Sequence, residues 1–199
     1  GMALHGGVIP AIGTFFVFSD FMKPAVRLAA LMQLPVIYIW THDAFRVGED
    51  GPTHQPVEQE AQIRLLEQLR NHHGKRSMLV LRPADALETN VAWKMALENK
   101  DTPTALILSR QGIPDLPARP GSDRYTDALQ AERGAYIVME PEGKPDVVLL
   151  ASGSEVATLV AGTELLRERK NTRVRIVSVI SEGLFREQDP VSENPVQQN

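Results

Sequence analysis

The chain has 199 residues, a formal net charge of −4, 43% hydrophobic and 23% charged residues, and no cysteine. These values are those of a soluble globular protein. They exclude disulfides and thiolate metal sites, and the acidic balance argues against nucleic acid, whose phosphates need a basic face. There is no apolar run of about 18 residues, so no membrane span is expected. The opening GMALHGG lacks the basic start and apolar core of a signal peptide, and a cytoplasmic location is expected.

The alternation of short apolar runs with helical segments predicts an α/β fold with a mostly parallel sheet and flanking helices. In chain order, residues 24–32 carry Ala and Leu at helical spacing, and 35–41 (PVIYIWT) read as a strand. Pro56 opens a helix predicted to run to His72, and 77–81 (SMLVL) form a strand. Asp85 and Glu88 resemble a capping box at the start of a helix ending at Glu98. Residues 104–108 (TALIL) read as the next strand. Continuous apolar runs of this kind suit strands covered on both faces.

Residues 112–133, with Pro114, Pro117, Pro120 and Gly121, read as a linker. It divides the chain into 1–111 and 134–199. The second part offers two firm strands, 147–150 (VVLL) and 174–180 (VRIVSVI), and a helix over 155–169 that Ser154 can cap. So few elements make a poor core, and this part looks incomplete. The polar tail 189–199 is expected to be mobile.

The densest polar cluster follows the strand PVIYIWT. Residues 42–56 (HDAFRVGEDGPTHQP) hold two histidines, three acids and an arginine. Ligands of open α/β sheets bind beyond the carboxyl ends of strands, where this loop lies. Imidazoles can bind phosphate, hydrogen-bond sugar hydroxyls or move protons. Gly48 and Gly51 allow close approach or positive φ. The competing reading is a turn whose polar groups satisfy its own backbone.

The string GEDGPTHQP at 48–56 resembles the most recognisable motif of transketolases. Collinear companions are LHGG at 4–7, GTFFVFSDFMKPAVRLAALM at 13–32, LRPAD at 81–85, AWKMALE at 92–98, PTALILSRQ at 103–111 and ASGSEV at 151–156. The resemblance implies a thiamine-diphosphate enzyme of the pentose phosphate pathway that moves a two-carbon ketol unit from a ketose phosphate to an aldose phosphate. It implies that 1–111 is an incomplete pyrimidine-binding domain and 134–199 a partial C-terminal domain. The family's cofactor lies between domains, usually of two subunits of a homodimer.

Carried over residue by residue, Phe15, Phe18 and Phe21 fall on the aromatic pocket of the cofactor's pyrimidine ring. By spacing alone they would be a helix's core stripe. His42 and Arg110 would bind the sugar phosphate, although Arg110 alone reads as a surface ion pair. Asp50 would recognise a donor hydroxyl, and His54 would handle protons near the reacting carbon. His5 is a weaker candidate. His72 and His73 read as a solvated loop, and no metal ligand is expected in the chain. Arg46 stands where many relatives have glycine, and the 59–77 stretch is longer than usual, which predicts an extended helix. The family's Mg- or Ca-binding diphosphate domain and the glutamate that activates the pyrimidine have no counterpart here. The chain is therefore expected to be a fragment that is inactive alone, binds no cofactor by itself, and either self-associates or joins a missing N-terminal part. The rival readings are a non-catalytic α/β binding module and one half of a split enzyme.

Overall fold

The computed structural model describes residues 1–43 and 46–188; the expectation of a mobile tail at 189–199 falls outside them. The chain divides into two compact units, Gly1–Leu81 with Trp93–Gly112, and Arg82–Ala92 with Ile113–Asn199.

The first unit is built on a parallel four-stranded sheet in the order β1-β2-β4-β3. Its strands are β1 (Ala11–Phe15), β2 (Ile37–Thr41), β3 (Leu79–Leu81) and β4 (Thr104–Ile107). The last three lie within the predicted runs. The first had no sequence signal, because Gly13 interrupts it and it is exposed along its first half. The chain enters the unit through α1 (Met2–His5) and passes from β1 through a 3-10 turn (Phe16–Phe18) into α2 (Ser19–Leu31). Phe15, Phe18 and Phe21 therefore lie on three different elements, and the single helical stripe that their spacing suggests does not form. Pro24 sits inside α2 rather than at its start.

Trp40, Phe16, Val26, Ile63, Met78, Val80 and Ile107 form the core on one face of this sheet. A fully buried large apolar side chain contributes about 1.5–3 kcal/mol, so this cluster is what holds the unit together. Ile63 comes from α3 (Gln59–Gln68). That helix is shorter than expected. It stops where Leu69 turns extended, and Asn71 Oδ1 accepts the backbone N–H groups of His73 and Lys75 at 2.9 and 3.0 Å. The residues after Gln68 form this turn, not the extended helix that was expected. His72 and His73 are exposed there, as the solvated-loop reading expects.

Among the described residues the second unit has three strands, not two, in the order β5-β7-β6. The added strand is β5 (Ala135–Met139), antiparallel to β7 (Val174–Val179); β6 (Val147–Ala151) pairs parallel to β7. Within 112–133, where no element was expected, lie α5 (Arg124–Ala128) and a 3-10 turn (Leu129–Arg133). Asp123 caps α5 by accepting from the Thr126 N–H at 2.9 Å. Ser154 occupies the N-cap of α6 (Glu155–Lys170), but its hydroxyl donates to Glu155 at 3.2 Å and does not cap the helix. A short α7 (Glu182–Glu187) follows β7.

The capping box at the start of α4 (Ala86–Glu98) does form. The N–H of Glu88 donates to Asp85 Oδ1 at 2.8 Å, and the N–H of Ala84 donates to Glu88 Oε2 at 2.9 Å. Both carboxylates then serve a buried network. Arg124 Nε donates to Asp85 Oδ2 at 2.6 Å, and the Tyr136 hydroxyl donates to Glu88 Oε1 at 2.7 Å. Glu88 is 0% exposed. Its burial pushes the carboxyl up from the usual carboxylate range, against the hydrogen bonds from Tyr136 and Ala84. Burial also raises the Tyr136 hydroxyl.

Two outcomes follow from this packing. Gly134 has φ +85°, and a Cβ there would lie 2.5 Å from the Phe185 nitrogen and 2.7 Å from the Ser181 oxygen. Gly134→Ala should cost about 3 kcal/mol, read as a lower urea midpoint at constant slope. Glu88 has a raised folded-state pKa, so its contribution is fully present below its unfolded value of 4.5 and is lost as pH rises through the folded value. In urea titrations between about pH 4.5 and 8, wild type should therefore lose stability relative to Glu88→Gln as pH increases. A pH-independent difference between the two proteins would contradict this.

Candidate active site

All the residues of this site lie in the first unit. Parallel register sets Phe15 opposite Thr41 and Trp40 opposite Ile107. The carboxyl ends of β1, β2 and β4 are thus adjacent, and the residues that follow them share one region. His42 comes directly after β2, and Arg110 follows β4. His42 has φ +60°, which is uncommon for a side-chain-bearing residue. It turns the chain at the strand end.

His42 is packed and oriented from three sides. Its ring stacks on Phe15 at a centroid distance of 3.7 Å. Thr41 Oγ1 lies 2.9 Å from Nδ1, and Asp50 Oδ2 lies 3.6 Å from Nε2. A proton on Nε2 faces the carboxylate and leaves Nδ1 to accept the Thr41 hydroxyl, so this tautomer suits both neighbours. Asp50 also pairs with Arg110, with Nε 3.1 Å from Oδ2. That oxygen is buried yet lacks a well-directed hydrogen bond among the described residues. A carboxylate oxygen in that state is suited to accept a ligand hydroxyl.

His54 closes the 3-10 turn Pro52–His54. Thr53 Oγ1 lies 2.8 Å from its Nδ1. Its ring meets Phe15 and Phe18 edge-on at 5.8 and 5.3 Å. Phe15 and Phe18 stack at 6.0 Å and 14°. Phe21 continues the row at 6.1 Å from Phe18 but is 83% exposed. Together the rings make a half-open aromatic wall beside two imidazoles. Such a wall fits a flat heteroaromatic ring, which gains burial and stacking from it. The structure therefore gathers Phe15, Phe18, His42, Asp50, His54 and Arg110, and leaves Phe21 at the margin. His5 is exposed at the end of α1. Sequence reading missed Thr41 and Thr53. The signal was the Thr-His pair, which occurs at 41–42 and again at 53–54.

Among the described residues, no group of His, Asp or Glu could hold a metal ion, and no helix is long and apolar enough to cross a membrane.

The family model described as "Transketolase, pyrimidine binding domain" matches residues 1–115, and the "Transketolase-like TK C-terminal domain" model matches 134–198. The chain belongs to the transketolase family. A curated transketolase of Halalkalibacterium halodurans is 50% identical over 188 residues, covering 94% of this chain and 26% of its own length. A transketolase mutant from Pichia stipitis in complex with xylulose 5-phosphate has 35% identity and a TM-score of 0.75, covering 90% of this chain and 24% of that one. An inactive β4 tetramer of a split-gene transketolase has 26% identity and a TM-score of 0.64, covering 88% of this chain and 50% of that one. The chain thus spans about a quarter of the length of the curated transketolases it matches.

The stacking of His42 on Phe15 can be read directly. Phe15→Ala should move the His42 ring-proton NMR signals downfield, toward those of an exposed histidine, and cost about 2 kcal/mol of stability. Unmoved signals would show that the stack is not populated.

Proposed function

We propose that this chain supplies the substrate side of a transketolase active site. The whole enzyme would transfer a two-carbon ketol unit from a ketose phosphate to an aldose phosphate, the chemistry of the pentose phosphate pathway. One observation carries the reading: His42, Asp50 and Arg110 meet at 3.1–3.6 Å beside the aromatic wall of Phe15, Phe18 and His54. A guanidinium and an imidazole next to a carboxylate can hold a phosphate and a neighbouring hydroxyl together. The sugar-phosphate ligand of the Pichia stipitis structure agrees with that chemistry.

In this reading Arg110 and His42 bind the phosphate, and Asp50 accepts a hydroxyl next to the reacting carbonyl. His54 takes or returns a proton at a substrate hydroxyl, with the Thr53 hydroxyl at Nδ1 holding its ring in place. Phe15, Phe18 and Phe21 would hold the pyrimidine ring of thiamine diphosphate and exclude water from one face. The cofactor, when bound, supplies the electron sink for carbon–carbon bond cleavage. Its diphosphate and divalent metal would be held from outside these 199 residues. By itself the chain is catalytically silent.

A second reading is favoured by the likeness to a split-gene transketolase, half of whose chain this one covers. The chain would then work with a separate polypeptide that supplies the diphosphate site. Self-association fits the same picture, because Phe21, Leu28 and Leu31 of α2 are exposed and apolar patches seek partners.

The test is ketol transfer from xylulose 5-phosphate to ribose 5-phosphate with thiamine diphosphate and Mg. The chain alone should give no turnover. Adding the diphosphate-binding part of a transketolase should give activity that His54→Ala lowers by about 100-fold or more. Turnover by the chain alone, proportional to its concentration, would refute the silent role. Activity unchanged by His54→Ala would refute the site.

A further inference from the structure

Arg110 touches a residue that has no side chain. A Cβ built on Gly48 would lie 3.3 Å from Nη1 and 3.7 Å from Cζ of Arg110. On its other side, Arg110 Nε is 3.1 Å from Asp50 Oδ2. The guanidinium is thus held by a carboxylate at Nε and laid against bare backbone at Nη1. Among the described residues Asp50 is its ion-pair partner, and the contact is made through Nε. Both Nη groups keep their donors for a ligand, and a guanidinium fork needs them to grip phosphate oxygens.

We infer that Gly48 is a positioning residue for sugar-phosphate binding: by lacking a side chain it lets Arg110 lie flat against the loop backbone beside Asp50, with its Nη donors left for the phosphate. This deepens the transketolase reading and rests on it. The physical point is where the cost falls. A methyl at Gly48 would meet the tip of an exposed, flexible side chain, which can move aside with little loss of stability. What is lost is the preset orientation, and a bidentate contact depends steeply on orientation. Asp50 alone cannot enforce it, since one ion pair at Nε leaves rotation about that contact open.

Backbone strain is the obvious confounder, because Gly48 has φ +81°. The same loop provides a matched control. Gly51 has φ +80°, and nothing lies within 4 Å of a Cβ built there. Gly51→Ala therefore introduces a side chain at positive φ in the same loop without touching Arg110.

The experiment is a titration of fructose 6-phosphate, and of fructose as control, into the isotope-labelled chain. NMR follows the Arg110 Nε–H signal and the amides of the loop. Gly48→Ala should weaken fructose 6-phosphate binding about tenfold, while Gly51→Ala changes it less than about twofold. In an Arg110→Ala background, Gly48→Ala should have no further effect. Wild-type affinity in Gly48→Ala, an equal loss in Gly51→Ala, or an equal loss without Arg110 would overturn the positioning role and leave the sugar-phosphate reading standing. If wild type does not bind fructose 6-phosphate, or if Arg110→Ala leaves binding unchanged, the reading and the inference fall together.

Discussion

The hydrogen bonds of β1, β2 and β4 run in parallel register, so the three strands end at the same level. The candidate site depends on that constraint. Phe15 is the last residue of β1, His42 follows the last residue of β2, and Arg110 comes soon after β4. A shift of one residue in either pairing would turn alternate side chains to the opposite face. It would take Tyr38 and Trp40 out of the core, at a cost of several times about 1.5–3 kcal/mol. The buried face of the sheet therefore enforces the alignment of the polar residues at its end. The loop over 46–56 then brings Asp50 and His54 back onto residues that the strands have already placed.

The second unit is organised by a different interaction. Asp85 and Glu88 begin as a local capping box and end as the buried partners of Arg124 and Tyr136. Two carboxylates out of water are costly unless every oxygen is satisfied. Here the backbone of Ala84, Glu88 and Leu116, the phenol and the guanidinium together satisfy them. The network links the start of α4 to α5 and β5, which are distant in sequence. Removing one member would leave the others desolvated and unpaired, so the cost of any single loss would spread through the group.

The aromatic wall and the phosphate-type cluster are present, while Phe21 stands 83% exposed at the wall's edge. In the proposed reading, the diphosphate and metal are bound by residues other than these. The site's part in that reading is to select and orient a phosphorylated, hydroxyl-bearing ligand.

Much of this was determined by the sequence itself. The apolar runs at 35–41, 77–81 and 104–108 specify buried parallel strands, because their continuity leaves no polar face for solvent. Asp85 and Glu88 specify a helix start by local hydrogen bonding alone, and GEDGPTHQP carries the family. Tertiary structure decided the rest, wherever the deciding partner is far along the chain. β1 is a strand because β2 lies beside it; its own five residues have no strand pattern. The residues after Gln68 form a turn because Asn71 accepts nearby backbone N–H groups, which the helical periodicity of 56–72 cannot show. Gly48 matters because Arg110 lies against it, and only the register of β2 with β4 brings those two together. Local propensity and pattern act over a few residues, whereas pairing and packing are set by neighbours that the linear sequence does not name.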